Sequence, residues 1–598
     1  MKRILQLRYG VRLVWDSGPG WFLASCAIVV LQGLLPLASL YLLKQIVDSI
    51  IAALPDAAQP GALRRAFVYV ALAALMELLD AACRALAAVI SENQSQAVAD
   101  HVQEEIQRQS AALDLAFYET PAYQDTLHRA QQDARSTPLR IVNAMTRVAV
   151  NLISLVGLAA ILFTFHWGIT LVLCLAMFPG FLYALRVSRR MFDWRNACTE
   201  MERKTFYLHW VLTSGIHAME NKCFGFAGAL IARFKSLRLR LRHERLAWLK
   251  RQMAGELLGQ GGGLLVVFGC LLFMAAQTAH GRITVGSLVM FLQAMRRAEG
   301  YFRSLMQSLA ALYEDSLFLK NIRDLLEMEP TIRPPDRPAR LPATGAESFR
   351  LAGVDFRYPG TDVPALRDVA MELRPGQRVA LVGHNGSGKS TLVKLLCRLY
   401  DPDAGRVEYG GVDIRSFAPA DYRRLIGVMF QNFTRYAFPA RDNIWLGNVA
   451  LDPHDPRIEA AACLADADRL IRGLPQGYDT QLGRGFKAGA EISQGEWQKI
   501  ALARAFVSDA RLLVLDEPSS FLDSDAEEQL FANLKEFARR KTILFVSHRF
   551  STVRQADWIY VMEDGLVKEQ GDHATLLGQN GLYARMFQLQ ARGYQTDG

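Results

Sequence analysis

Long apolar runs fill the first half of the chain, whereas the second half alternates short apolar runs with helical patterns. Six of the long runs are close to the roughly 20 residues that a helix needs to cross a bilayer. They lie at residues 21–43, 66–90, 141–163, 167–185, 257–279 and 285–308. The pattern therefore predicts an all-α domain with six spans, embedded in a lipid membrane.

The start of the chain predicts its orientation. Residues 1–14 carry Lys2, Arg3, Arg8 and Arg12 and no acidic residue. Positive charge beside a span favours the cytoplasmic side of the membrane. A secretory signal is the alternative, but the run that follows is longer than a signal's apolar region and has no convincing cleavage site. We therefore expect a cytoplasmic N-terminus, and six spans return the chain to the cytoplasm.

Two long polar connections separate spans on the cytoplasmic side, at residues 91–140 and 187–252. Their charged composition is typical of helices, and their length predicts that these helices extend well past the bilayer. Each connection has to turn near its middle. We predict the turns at residues 117–123 and 213–220.

The character of the chain changes at residue 329. Five prolines lie between residues 330 and 342, which predicts a linker over residues 330–345. Beyond it, apolar strands alternate with helical segments, as in a doubly wound α/β domain. The predicted organisation is a transmembrane domain over residues 1–329, this linker, and an α/β domain over residues 346–598, whose motifs predict nucleotide binding for the reasons given next.

A glycine-rich loop follows the apolar run at residues 378–382 and precedes a helical pattern at residues 392–396. Strand, glycine loop, Gly-Lys-Ser and helix are the parts of a phosphate-binding loop. Its backbone N–H groups and the helix N-terminus attract a polyphosphate. We predict that Lys389 reaches the β- and γ-phosphates and that the Ser390 hydroxyl binds Mg²⁺. The predicted nucleotide-binding residues of this loop are Gly383, Asn385, Gly386, Ser387, Gly388, Lys389, Ser390 and Thr391.

A second apolar strand, at residues 512–515, ends in two acidic residues. Asp516 occupies the position of an acid that holds Mg²⁺, directly or through water. Glu517 occupies the position of a general base that polarises the attacking water. Two acids after a strand are a weak signal alone, but they follow the phosphate-binding loop by about 130 residues, which makes it strong.

In this order, the motifs resemble those of the ATP-binding cassette (ABC) exporters of the half-transporter type. The resemblance covers nearly the whole chain. It implies a six-helix membrane domain fused to an α/β P-loop ATPase (type IV exporter architecture), with ATP and Mg²⁺ as cofactors. It implies that Tyr358 stacks on adenine, that Gln431 binds Mg²⁺, and that His548 is a catalytic residue near the γ-phosphate. Asp523 matches the D-loop residue at the ATP site.

The family's signature motif, Leu-Ser-Gly-Gly-Gln, departs from its usual form here. Ser493 and Gly495 are present, Glu496 ends the motif, and Gln494 replaces a small residue, so its side chain must point away from the nucleotide. The resemblance implies that Ser493, Gly495 and Glu496 of one copy complete the ATP site of another. A single ATPase domain and six spans therefore imply a homodimer.

Ionisable residues within spans two and six are the candidates for a substrate cavity. Glu77, Asp80 and Arg84 share one face of span two, where the alternative is an internal Asp80–Arg84 salt bridge. In span six a polar stripe lies opposite an apolar one, and a polar stripe must face water or protein. The alternative is a helix-packing seam. The candidates in this stripe are Gln293, Arg296, Arg303 and Gln307.

The formal net charge of +9 does not point to nucleic acid, because much of it lies in Lys and Arg clusters beside the apolar runs. The eight cysteines are scattered without a CxxC pair, so neither a metal site nor a disulfide framework is expected.

The substrate is narrowed by two segments. Residues 432–437 and 113–130 resemble those of bacterial exporters of lantibiotic and lasso peptides. We therefore predict export of a peptide across the bacterial inner (plasma) membrane. Only some 20 residues precede span one, so we expect no leader-cutting protease domain and a peptide that arrives already mature. A lipid flippase or a broad drug exporter is the alternative, since either would share every ATPase motif. A regulatory subunit without transport would have lost Lys389 or Glu517, and both are intact.

Overall fold

The computed structural model describes residues 12, 14–54, 61–165, 200–280, 282–342, 347–483, 489–522, 524–537 and 541–592, with isolated positions (168, 171–172, 175, 183, 186, 190, 194 and 198) between 166 and 199. The chain divides into two compact units. One comprises Met1–Ala111 and Gln124–Met328, and the other comprises Ala112–Tyr123 and Glu329–Gly598. A short piece of the N-terminal half thus belongs to the ATPase unit.

The first unit is helical. Among the described residues, the long helices with defined bounds are α1 (Pro19–Ile51), α2 (Ala62–Ala112), α4 (Pro121–Phe165), α6 (Ala227–Ala279) and α7 (Val285–Leu326), and α5 (Ala218–Phe224) is a short one. The short helix α3 (Leu115–Tyr118) lies between α2 and α4 in sequence but belongs to the second unit. The two predicted turns are confirmed, because α4 starts anew at Pro121 and a 3₁₀ turn at Gly215–His217 precedes α5.

Among the described residues, three helical stretches are long and apolar enough to cross a membrane: Pro19–Ile51, Ala62–Ala112 and Arg140–Phe163. They contain the first three predicted spans. The fourth, residues 167–185, lies mostly outside the described residues. The fifth and sixth are helical, within α6 and α7, but α6 offers only Leu265–Ala279 as an apolar stretch, so a span count of six stays a prediction.

Helix packing in this unit is built on small residues and on buried polar contacts. Ser154 donates to the carbonyl of Gly33 (3.3 Å), which joins α4 to α1. Arg297 of α7 donates to the carbonyl of Pro36 (2.8 Å), the proline that lies inside α1. A core of Leu40, Leu158, Leu162, Met274, Met290, Phe291, Ala294 and Met295 lies among α1, α4, α6 and α7.

The second unit holds two sheets, which confirms the predicted α/β class. Their strands are β1 (Phe349–Phe356), β2 (Leu366–Leu373), β3 (Arg378–Gly383), β4 (Ala404–Tyr409), β5 (Val412–Asp413), β6 (Ile426–Met429), β7 (Leu512–Asp516), β8 (Thr542–Val546), β9 (Trp558–Glu563) and β10 (Leu566–Gly571). One sheet has the order β2-β1-β4-β5, and its pairs are antiparallel. The other has the order β10-β9-β3-β8-β7-β6 and is parallel except for β10.

The helices of this unit connect the strands. They are α8 (Lys389–Leu396), α9 (Pro419–Arg423), α10 (Ala440–Trp445), α11 (Pro456–Leu464), α12 (Asp468–Arg472), α13 (Gln494–Phe506), α14 (Ser524–Phe537), α15 (Phe550–Val553), α16 (His573–Gly578) and α17 (Leu582–Arg592). Strands β7 and β8 are buried along their whole length, which agrees with their mostly apolar sequences. Because β3, β7 and β8 are parallel, their carboxyl ends meet at one edge of the sheet.

Candidate functional site

The predicted phosphate-binding loop joins β3 to α8 at this edge. Gly388 precedes the helix with φ 102°, a conformation that side chains rarely adopt. A Cβ atom there would also lie 2.9 Å from the carbonyl oxygen of Ala365. The Lys389 ammonium donates to the carbonyls of Gly383 and His384, both at 2.8 Å. Lys389 is thus held over the loop, and the first turn of α8 offers free N–H groups to an anion.

Two carboxylates at the end of β7, those of Asp516 and Glu517, lie close to the Lys389 ammonium. Burial lowers the pKa of Lys389, against the opposing effect of the carboxylates of Asp516 and Glu517. Burial and the charge of Glu517 raise the pKa of Asp516 to about 6, although the Gln431 backbone N–H and Lys389 favour its ionised form. Asp516, Glu517 and Lys389 are therefore close enough to influence one another's charge.

The two predicted catalytic residues lie side by side. Glu517 follows β7 with φ 53°, and its N–H donates to the carbonyl of Val546 at the end of β8 (2.9 Å). This link brings the end of β7 next to the turn that carries His548. The distance from His548 Nδ1 to Glu517 Oε1 is 3.1 Å. The histidine is thus close enough to orient a carboxylate that acts as a general base.

The departing signature motif forms the N-terminus of α13. Ser493 and Glu496 form a capping box, in which Ser493 N–H donates to Glu496 Oε2 (2.6 Å) and Glu496 N–H donates to Ser493 Oγ (3.3 Å). Gly495 has no room for a side chain, since a Cβ would lie 2.7 Å from the carbonyl of Phe521. Gln494 is exposed. Among the described residues, no hydrogen bond joins Ser493 to the phosphate-binding loop, and Asp523 lies outside them.

The sequence analysis assigns no role to Gln498, which links the signature helix to Glu517. Its side chain is fully buried, donates to the carbonyl of Glu517 (3.2 Å) and accepts from the N–H of Phe521 (3.1 Å). A buried amide needs such partners. The available signal was a glutamine on the buried face of a helix, between Trp497 and Ile500.

Tyr358, the predicted adenine-stacking residue, lies against α8. Its hydroxyl is 3.1 Å from the hydroxyl of Thr391. Its ring is half-buried and meets Phe356 and Tyr400 edge-on, with centroids 5.1 and 5.5 Å away. The aromatic residue is therefore held next to the helix that carries Lys389.

In span two, the internal salt bridge is present. Asp80 is buried and forms an ion pair with Arg84, whose side chain is 61% exposed. Glu77 is exposed. Asp80 is thus neutralised on its own helix, as the alternative interpretation of this span expected.

Span six shows the expected division into two faces. Phe291, Met295 and Leu305 are buried, whereas Arg296, Arg303 and Gln307 are exposed and Gln293 is half-buried. Arg303 pairs with Glu299 of the same helix at 3.0 Å. In the single chain, most side chains of this stripe are therefore exposed.

Comparisons with known proteins agree with this architecture. Residues 366–520 match the ABC transporter family. The nisin transport ATP-binding protein NisT of Lactococcus lactis subsp. lactis is 25% identical over 98% of this chain and 96% of its own length. The ATP-dependent lipid A-core flippase of Chromobacterium violaceum is 32% identical over 76% of this chain and 78% of its own length. A structure of a bacterial Atm1-family ABC exporter with ATP bound matches with a TM-score of 0.80 and 25% identity, over 96% of this chain and 98% of that one.

The flippase and the Atm1-family structure both align across the membrane and ATPase parts of the chain together, which confirms the predicted fusion of a helical membrane domain with a P-loop ATPase. The chain therefore belongs to the ABC transporter family, as an exporter half-transporter in which ATP hydrolysis drives transport across a membrane.

Proposed function

We propose that the chain exports a mature peptide, of the bacteriocin or lasso-peptide kind, across the bacterial inner membrane. The observation that carries this proposal is its similarity to the nisin transporter over nearly the full length of both chains. A lipid flippase is the second candidate, favoured by the higher identity to the lipid A-core flippase over a shorter stretch. A broad drug exporter would share the same ATPase chemistry.

In the proposed ATP site, Tyr358 stacks on adenine and the loop from Gly383 to Thr391 holds the phosphates. Glu517 takes a proton from the attacking water, and His548 orients it. Support comes from the 3.1 Å distance between these two side chains and from the position of Lys389 over the loop. General-base catalysis of this kind contributes about 10²–10⁴-fold to the rate.

Mg²⁺ would be held by Ser390, Gln431 and Asp516 together with phosphate oxygens. In the described part of the chain, no group of three His, Cys, Asp or Glu side chains could hold a metal ion alone. One buried carboxylate beside a second acid nevertheless fits a hard cation that usually shares its ligands with phosphates. When bound, Mg²⁺ neutralises charge that develops on the phosphates. The protein's part is to fix the orientation of Asp516.

We further propose a homodimer in which Ser493, Gly495 and Glu496 of each copy complete the ATP site of the other. The chain carries one phosphate-binding loop and one signature motif, which supports two identical composite sites. The N-terminus and the ATPase unit would lie in the cytoplasm. The turns near Glu119 and Gly215 would act as coupling helices that transmit ATP-driven closure to the spans.

The test uses the purified full chain in proteoliposomes. Mature lantibiotic-type peptides should stimulate ATP hydrolysis and accumulate on the far side of the membrane in an ATP-dependent manner. Lys389→Met should abolish both activities, and Lys568→Met, which removes an exposed lysine of β10, should leave them unchanged. If labelled lipid is translocated while peptides neither stimulate nor cross, the chain is a flippase and the peptide proposal is wrong.

A further inference from the structure

The link between α2 and α4 is part of the ATPase unit. Residues Ala112–Tyr123 cluster with the C-terminal half, although α2 and α4 themselves belong to the membrane unit. Asp114 fastens the start of this link, since its carboxylate accepts the N–H of Ile332 at 2.9 Å and also binds Thr331. Glu119 fastens its other end. The link is therefore held at two points on the ATPase unit.

Glu119 contacts two residues that flank the C-terminal end of α8. Its Oε1 atom accepts from the Lys394 ammonium at 2.7 Å, and its other oxygen accepts from the Tyr400 hydroxyl. Burial would raise the pKa of Glu119, but these two hydrogen bonds outweigh it and hold the pKa below its ordinary value. Lys394 is correspondingly held in its charged form. The pair is partly buried, with the Lys394 side chain 25% exposed.

Lys394 in turn reaches the aromatic residue beside the phosphate-binding loop. Its ammonium lies over the ring of Tyr358, 5.0 Å from the centroid, and 5.8 Å from the centroid of Tyr400. The hydroxyl of Tyr358 is fixed at the same time by Thr391, one turn earlier on α8. A cation over an aromatic face is attracted by the ring and stabilises its position.

We propose that Glu119 is a positioning residue for the purine of ATP: it holds Lys394 over Tyr358 and so sets the ring on which the base stacks. The inference rests on the proposed stacking role of Tyr358. Glu119 lies between α3 and α4, in the same unit as Lys394 and Tyr358.

The test compares a ligand that carries the base with one that lacks it, on the full chain in lipid nanodiscs. Glu119→Gln should weaken ATP binding about threefold to tenfold, because Lys394 loses its anionic partner. Binding of inorganic tripolyphosphate should not change. The KM for ATP should rise by the same factor while kcat at saturating ATP stays within about twofold. The control is Glu104→Gln, since Glu104 is an exposed acid of α2 that pairs only locally, with Arg108.

A double variant distinguishes loss of the Glu119–Lys394 contact from general misfolding. Lys394→Met should weaken ATP binding by a similar factor, and adding Glu119→Gln to it should have no further effect. Lys394→Arg should restore most of the affinity in the presence of Glu119. Equal losses for ATP and tripolyphosphate, or additive losses in the double variant, would overturn the inference. If the parent chain binds tripolyphosphate as tightly as ATP, the stacking role of Tyr358 is wrong and the proposed ATP site fails with it.

Discussion

Glu517 lies in the left-handed region of backbone conformation, with φ 53°, at a residue that has a full side chain. Such a conformation costs on the order of 1 kcal/mol and persists only where surrounding contacts determine it. Here the contacts are the N–H bond to Val546 and the carbonyl bond from Gln498. They fix the backbone of the residue whose carboxylate contacts His548.

Replacing Glu517 with glutamine should therefore keep the shape of the site and remove the base. We expect ATP hydrolysis to fall by at least about 100-fold while ATP binding is retained. The measurement is steady-state hydrolysis beside equilibrium binding of ATP. Glu528→Gln, at an exposed position of α14, is the matched control and should hydrolyse ATP like the parent. Near-normal hydrolysis by Glu517→Gln would mean that another group is the catalytic base.

At this scale the sequence predicts residues whose type alone carries the chemistry. Lys389, Asp516 and Glu517 are predicted because strand, loop and charge follow one another locally. Gln498 and Lys394 are not, because their roles depend on partners distant in sequence: Gln498 binds the turn after β7, and Lys394 binds Glu119, 275 residues earlier. No local pattern encodes such a contact.

At the scale of elements, two residues cap the N-terminus of α7, one local and one from α1. Thr284 is the local cap and accepts from the N–H of Ser287 (3.1 Å). Asp48, in the last turn of α1, accepts from the N–H of Gly286 (3.0 Å) and from the Thr284 hydroxyl (3.1 Å). A carboxylate at a helix N-terminus satisfies free N–H groups and interacts favourably with the helix dipole.

Asp48→Ala should therefore loosen the end of α7 from α1. We expect a loss of about 0.5–2 kcal/mol, as for other helix caps, seen as a lower apparent melting temperature of the detergent-solubilised chain. Asp48→Asn, which keeps one acceptor, should lose less. The control is Asp16→Ala, because among the described residues Asp16 pairs with Arg12 alone, in an exposed ion pair of a kind that contributes little. Equal melting temperatures for Asp48→Ala and the control would show that the cap is energetically neutral.

The sequence predicts some secondary-structure elements better than others. The first three predicted spans coincide with long apolar helices, and the strand before each ATPase motif is where the apolar run predicts it. The antiparallel sheet of β2, β1, β4 and β5 is not predicted, since its strands carry no chemical motif and pair across loops of varied length. Likewise, composition places residues 112–123 with the membrane domain, whereas their packing assigns them to the ATPase unit.

For the whole molecule, the division of labour is that one unit hydrolyses ATP and the other carries the pathway. The ATP site is supported by many contacts between its residues, whereas the predicted substrate pathway rests on a polar stripe on one helix. Arg297, which the sequence analysis left out, belongs to the packing side of that helix, because it donates to Pro36 and Ser39 of α1. Its neighbour Arg296 is exposed and has no ion-pair partner among the described residues. The two adjacent arginines thus differ in their surroundings, because Arg297 contacts α1 and Arg296 is exposed.

The contrast gives a direct test of where the substrate binds. If Arg296 and Arg303 line the pathway, a peptide's C-terminal carboxylate can form a bidentate contact with either guanidinium. For Arg303 this contact competes only with the exposed pair to Glu299, which costs little to break. Arg296→Ala or Arg303→Ala should then raise the peptide concentration for half-maximal stimulation of ATP hydrolysis. Loss of a charged hydrogen bond, about 1.5–3 kcal/mol, corresponds to roughly 10- to 150-fold.

Basal ATP hydrolysis should stay near that of the parent. Peptides with an amidated C-terminus should stimulate hydrolysis weakly, and to the same extent in the parent and the variants. Arg297→Ala is the matched control on the same helix. Losing its bonds to α1 should lower the melting temperature without changing the preference for free over amidated peptides. If Arg296→Ala and Arg303→Ala keep the parent's preference, the stripe is a helix-packing seam, and the carboxylate is bound elsewhere.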